Sequence, residues 1–232
     1  MEGIVLIDKE GGMTSYDVIR VMKRKVREHG VSGKFKIGHS GTLDPIATGL
    51  LVVAVGKTFT KKLTDMIGLD KVYRVEFEFG KTSNTYDADG EVEEFPDAAT
   101  TGSNLTEVVI NKIVQEKFVG KLLQTPPKFS AKKVGGRRAY DLARQGKEFV
   151  LEPKELEVYE WRILSYEWPK MEAEIHCSSG TYIRSLVHDL GQELNVGGYM
   201  TGLRRLSIGD MSVDDAVKVD DWQVSSIEST HV

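Results

Sequence analysis

The stretch with the most chemical promise is Gly38-His39-Ser40-Gly41-Thr42-Leu43-Asp44-Pro45-Ile46-Ala47-Thr48-Gly49, in which three glycines and a proline constrain the backbone around one carboxylate. An Asp-Pro pair commonly starts a turn, and taken alone Asp44 reads as a turn residue. Its reading as a reactive group depends on the rest of the chain. Elsewhere stand a strand-borne tyrosine, Tyr73, an arginine after a Ser-Gly turn, Arg184, and the acidic turn Asp87-Ala88-Asp89-Gly90. With basic segments suited to phosphates, these are the parts that a reaction on a nucleobase would need.

Other motifs dissolve on inspection. Gly56-Lys57-Thr58 mimics the end of a phosphate-binding loop, but that loop needs a glycine where Leu51 stands, so the tripeptide reads as a strand exit. His176 and Cys177 are neighbours on an expected strand and point to opposite faces, which rules out a nucleophile and base pair and makes Cys177 a small core residue. His188-Asp189 has no companion cluster at ligand spacing and reads as a helical surface or supporting pair. Cys177 is the only cysteine, so neither an intrachain disulfide nor a thiol-rich metal site is expected.

The elements that must position these residues follow from periodicity. Residues 3–8 read as a buried strand, and Gly11 to Ser15 as a turn and N-cap. A helix then carries Val18, Ile19, Met22 and Val26 and stops at Gly30. Leu50 to Val55 is a second strand. Val72 to Phe79 alternates, with Tyr73, Val75, Phe77 and Phe79 on one face and Arg74, Glu76 and Glu78 on the other. Thr106 to Phe118 is an amphipathic helix carrying Val109, Ile110, Ile113 and Val114. Residues 124–152, with Pro126-Pro127, Gly135-Gly136 and many cations, read as a mobile basic excursion with a short helix at Ala139 to Arg144. Glu172 to Cys177 alternates as a strand, and Tyr182 to Leu194 has helical spacing. Strands and helices mix without a regular βαβ repeat, so the fold class is α+β.

With 232 residues, 40% of them hydrophobic, the chain suits one globular domain. No apolar run is long enough for a signal peptide or a bilayer span, and a soluble, cytoplasmic protein is expected. The net charge of −4 conceals a division. Arg20, Lys23, Arg24, Lys25, Arg27, Lys34 and Lys36 form one basic segment, and Lys117 to Lys147 a second. Acid gathers at Asp87 to Asp97 and in the tail from Asp210 to Glu228. Two basic segments of this kind suit a phosphate-bearing partner.

The string from Gly38 to Gly49 resembles the catalytic motif of the TruB family of pseudouridine synthases, and further motifs of that family stand in the same order. Asp8-Lys9 with Gly12-Met13-Thr14-Ser15 is similar to the N-terminal motif. Lys71-Val72-Tyr73-Arg74-Val75 with Gly80 resembles the tyrosine motif, and Asp87 to Gly90 follows it. Gln124-Thr125-Pro126-Pro127, Ser130 to Lys133 and Arg138-Ala139-Tyr140 resemble the RNA-gripping insertion. Cys177 to Arg184 resembles the arginine motif, and Leu203-Arg204-Arg205 closes the series. The pattern is departed from at Glu10, where the family usually has Pro, and at Asn84, where it often has Asp.

The resemblance implies the pseudouridine synthase fold, a mixed, largely antiparallel sheet flanked by helices, with an RNA-binding cleft and a basic inserted loop at about 124–152. It implies isomerisation of uridine to pseudouridine in the T loop of tRNA, at position 55, without metal or cofactor. Asp44 would act at C1′ or C2′ of the sugar, Tyr73 would stack on the flipped base, and Arg184 would pair with the aspartate. His39 would enter the RNA loop, Leu203 would line the base pocket, and Lys9, Asp87, Lys132, Arg138, Tyr140 and Tyr182 would contact the RNA. The partner would be the T stem-loop of tRNA, with no obligate protein partner and a monomeric enzyme. Typical bacterial members carry a C-terminal domain of PUA type, and a short form without it is expected here. The alternatives are a guide-RNA-dependent synthase subunit and a tRNA-folding chaperone or RNA-binding module. Asp44, Tyr73 and Arg184 together favour catalysis.

Overall fold

The computed structural model describes residues 2–31, 35–102 and 104–227. Lys34 of the first basic segment and Glu228 of the acidic tail lie outside the described residues. The chain begins β1 (Gly3–Lys9), α1 (Ser15–Glu28), β2 (Ile37–Ser40), β3 (Thr48–Val55), α2 (Lys57–Ile67) and β4 (Lys71–Phe79). It continues through β5 (Lys81–Ser83), β6 (Val92–Glu94), α3 (Ala98–Gly102), α4 (Glu107–Lys117) and β7 (Gly120–Gln124). Then come β8 (Lys133–Val134), β9 (Arg137–Arg138), α5 (Ala139–Arg144), β10 (Lys154–Glu167) and β11 (Lys170–Cys177). The last are α6 (Ile183–Glu193), β12 (Gly198–Ile208), β13 (Met211–Ser212) and β14 (Val217–Lys218). The class is the expected α+β. Two compact units are defined, one of Met1–Tyr73 with Leu203–Val232 and the other of Arg74–Gly202.

In the first unit β3 is the organising strand. It pairs antiparallel with β1 from Gly3↔Val55 to Lys9↔Gly49, and with β2 from Ile37↔Val55 to Ser40↔Val52. The end of β12 runs parallel to it at Arg204↔Thr48 and Arg205↔Gly49. Leu51, Val53 and Val55 pack in one cluster with Val18, Ile19, Met22 and Val26 of α1, while Leu50 and Val52 pack with Ile208 and Val213 in another. Burial on both faces explains the continuous apolar run. Helix α1 starts where a reciprocal capping box forms between Thr14 and Asp17. The strand expected at 3–8 is present, but it alternates buried with half-buried positions. Gly56-Lys57-Thr58 is more than a strand exit, because α2 starts there with Gly56 at φ 91 and no side-chain cap to announce it.

In the second unit the strand order is β4–β11–β10–β7, with β11–β10 and β10–β7 antiparallel. Strand β4 buries Lys71 and Tyr73, which belong to the first unit, and Val75, Phe77 and Phe79, which belong to the second, and the residues between them are more exposed, as their alternation predicts. Helix α4 lies against β10, where Gln115 Nε2 donates to the Trp161 carbonyl at 3.1 Å. Its buried face is narrower than its sequence suggests, since Ile110 and Val114 are buried whereas Val109 is 43% exposed. The basic excursion is folded. Gly135 and Gly136, at φ 56 and 81, turn the β8–β9 hairpin, and α5 follows with Ala139 and Leu142 buried.

Candidate active site

Asp44 lies in the connection between β2 and β3 and is half-buried. The residues on either side of it are fixed. Ser15 Oγ, itself 2% exposed, accepts from the Leu43 N–H at 2.9 Å and donates to the Leu43 carbonyl at 3.1 Å. Gly12 N–H donates to the Pro45 carbonyl at 2.9 Å, and Ala47 N–H closes a turn on the Asp44 carbonyl at 3.1 Å. The ammonium of Lys9, fully buried, donates to the carbonyls of Met13 at 2.7 Å, Glu10 at 2.9 Å and Pro45 at 3.4 Å. A buried cation needs such oxygens to offset its lost hydration. Lys9, expected to touch RNA, is buried and bonded to the carbonyls around the Asp44 loop.

Arg205 holds the two ends of the same connection. Its side chain is 1% exposed, with Nε donating to the Leu50 carbonyl at 2.7 Å and Nη2 to the Gly41 carbonyl at 2.9 Å. Gly49 sits at φ 96 against the Arg205 backbone, where a Cβ would lie 2.3 Å from the carbonyl oxygen, so only glycine fits. His39 on β2 is half-buried. Burial, and next the Arg205 charge, hold its pKa below the usual value, which keeps the ring neutral at physiological pH. Also in this unit, Tyr73 is buried on β4. Leu203 is half-buried, its carbonyl accepting from Thr48 Oγ1 at 3.3 Å. Arg204 forks onto Asp8 through two bonds of 2.9 Å, which raise the arginine pKa further.

The second unit builds the surroundings of Arg184, which is 4% exposed on the first turn of α6. Its guanidinium donates to the Thr85 carbonyl at 2.9 Å and the Phe129 carbonyl at 3.0 Å, and pairs with Asp87 at 3.3 Å. Asp87 is 3% exposed, and also accepts from Thr85 Oγ1 at 2.6 Å and from Asp89 N–H at 3.1 Å. Asp87, expected on the RNA, is buried and paired with the arginine. Tyr182 is clamped through its backbone by Gln124, whose amide accepts from the Tyr182 N–H at 2.8 Å and donates to its carbonyl at 3.0 Å. In the excursion Arg138 is exposed and Lys132 and Tyr140 half-buried, with Arg138 Nη1 3.3 Å from the Tyr140 hydroxyl. The guanidinium carbons of Arg138 and Arg144 lie 5.8 and 5.7 Å from the centre of the Tyr140 ring. An aromatic beside two cations suits a base and its phosphates.

The family model described as "TruB family pseudouridylate synthase (N terminal domain)" matches residues 24–183. The chain belongs to the TruB family. A second model, "tRNA pseudouridylate synthase B C-terminal domain", matches residues 184–230. A tRNA pseudouridine synthase B from Aquifex aeolicus is 43% identical over 234 residues, covering 100% of this chain and 77% of that protein. A protein of the same name from Flavobacterium johnsoniae is 39% identical over 94% of each chain. Among solved structures, a Cbf5-Nop10-Gar1 complex matches 99% of this chain and 57% of its own with a TM-score of 0.69 at 25% identity. An H/ACA RNP bound to a substrate RNA containing 2'-deoxyuridine matches 94% and 51% with a TM-score of 0.66 at 24% identity, a likeness of fold alone. The chain thus spans little more than half the length of these two solved chains.

Sequence reasoning named Ser15 and Arg205 only as members of family motifs and missed their bonds to the Asp44 loop. Ser15 stands where a helix cap would, and its bonds to Leu43 reach 28 residues along the chain, so no local pattern signals them.

Proposed function

We propose that this TruB-family chain isomerises uridine to pseudouridine in tRNA, at the T-loop uridine, acting alone and as a monomer in the cytoplasm. The observation that carries the reading is the pinned loop: a half-buried carboxylate, Asp44, whose neighbours Leu43 and Pro45 are each held through backbone bonds from buried partners. Holding a reacting group in one geometry is worth several kcal/mol of barrier, on the order of 7 or more in well-oriented cases.

The C1′–N1 bond breaks with Asp44 acting at the sugar, the base rotates, and C5 bonds to C1′ and gives up its proton while N1 ends protonated. Extruding the uridine costs a few kcal/mol of unstacking, which about 1–3 kcal/mol from stacking on the Tyr73 ring offsets. Arg184 supplies a positive charge to the reaction, and a guanidinium retains its charge when buried. His39, held neutral, fills the gap in the RNA loop, Leu203 borders the base, and Lys132, Arg138, Tyr140 and Tyr182 contact the RNA. Lys9 and Asp87 act from beneath, through the Asp44 loop and Arg184.

The test is to incubate the purified protein alone with an unmodified tRNA transcript and map pseudouridine along it. One pseudouridine at the T-loop uridine, absent from a transcript with cytidine there, is expected. Product only on addition of guide RNA or protein partners would overturn the stand-alone reading.

A further inference from the structure

The turn that supplies Arg184 with the Thr85 carbonyl and the Asp87 carboxylate has Tyr86 at its centre. Tyr86 holds φ 66, a left-handed conformation in which a bulky residue is an outlier. Its ring stacks on the imidazole of His188, with centroids 3.8 Å apart and planes 11° from parallel. Arg184 and His188 are four residues apart on α6, so they leave the same helix face. His188 Nδ1 is buried and has no hydrogen-bond partner among the described residues, while the ring face meets Tyr86. Burial also holds the His188 pKa below the usual value, so two neutral rings meet. The backbone of the turn is tied a second time, through Met200 N–H to the Tyr86 carbonyl at 3.0 Å and Ala88 N–H to the Met200 carbonyl at 2.9 Å.

We infer that Tyr86 and His188 form a positioning latch for Arg184, locking the turn that bears the arginine's acceptors to the helix that bears the arginine. The strain at Tyr86 is the discriminating observation. If the turn conformation alone mattered, glycine would serve at least as well there. A tyrosine at positive φ needs a contact that offsets its strain, and its ring contact here is the imidazole.

The inference rests on the proposed role of Arg184, so the test has one readout of activity and one of position. Tyr86→Gly and His188→Ala are expected to lower the single-turnover rate of pseudouridine formation by about 10- to 100-fold, the scale of an ångström-sized misplacement. Binding of the T stem-loop should stay within about twofold, and the double variant should be no slower than the worse single one. His188→Phe, which keeps a stacking ring, should restore the rate to within about threefold. Independently of activity, the Arg184 Nε–H resonance, assigned with Arg184→Lys, should be sharp and slowly exchanging in the unmutated protein and in His188→Phe, and averaged in the other two. Circular dichroism reports folding, and if Tyr86→Gly does not fold, the His188 pair decides. An unchanged Arg184 signal in His188→Ala overturns the latch, as does a loss that His188→Phe fails to repair. Absence of activity in the unmutated protein, with the signal shifted as expected, counts instead against the functional reading.

Discussion

Asp44, Tyr73 and Arg184 are proposed as a set, because each stands in a contiguous motif while Asp44 alone reads as a turn residue. Their supports were not legible in the sequence, because each acts through a partner far away in the chain, as Arg205 does on Gly41 and Leu50. Two predictions belong at this scale. Arg184→Lys keeps a positive charge but loses the fork that reaches the Thr85 and Phe129 carbonyls. Single-turnover rates should fall by about a hundredfold, the usual effect of losing one preorganised donor. The second concerns Asp189, whose pKa burial pushes up to about 6. The folded protein therefore binds a proton between about pH 4 and 6 that the unfolded chain releases, and ionisation of Asp189 weakens the fold above pH 6. Asp189→Asn should raise the melting temperature at pH 7.5, and the gain should shrink to nothing near pH 4. His39 and His188, held below the usual histidine range, act oppositely, costing stability as pH falls through about 6.5.

Among the elements, legibility followed periodicity. β3 and β4 read clearly because one is buried on both faces and the other alternates strictly. β10 did not, because its register shifts between Val158 and Glu160 and again between Ile163 and Ser165, and each irregularity breaks the period of two. α2 escaped because Gly56 offers no capping side chain, and the width of α4's apolar face was overread at Val109. The loop between β2 and β3 gives the sharpest test of an element. Ser15→Ala leaves the Leu43 N–H and carbonyl buried without their partner, which should cost about 1–3 kcal/mol in urea unfolding and slow the reaction further. Gly49→Ala should be worse, by more than about 2 kcal/mol, because positive φ and a backbone contact oppose it together.

For the whole molecule, the net charge of −4 is a poor guide, since the acceptor of RNA is set by where the cations stand. The folded excursion presents Arg138 beside Tyr140 and Arg144, an arrangement composition alone did not reveal. Binding of tRNA should weaken steeply with salt. Lys132→Glu with Arg138→Glu should lower affinity at every salt concentration, and each lost phosphate contact should reduce the log–log slope by about 0.7–0.9. Among the described residues no helix is long and apolar enough to cross a membrane. Above all these stands the carboxylate in its pinned loop, and the direct measurement is pseudouridine formed per tRNA by the unmutated protein, Asp44→Ala and Asp44→Asn, with tRNA binding followed in parallel. Near-complete conversion of the T-loop uridine is expected from the first. No product is expected from the two variants, both of which should still bind tRNA to within about threefold. Conversion of that uridine by Asp44→Ala would contradict the role assigned to Asp44.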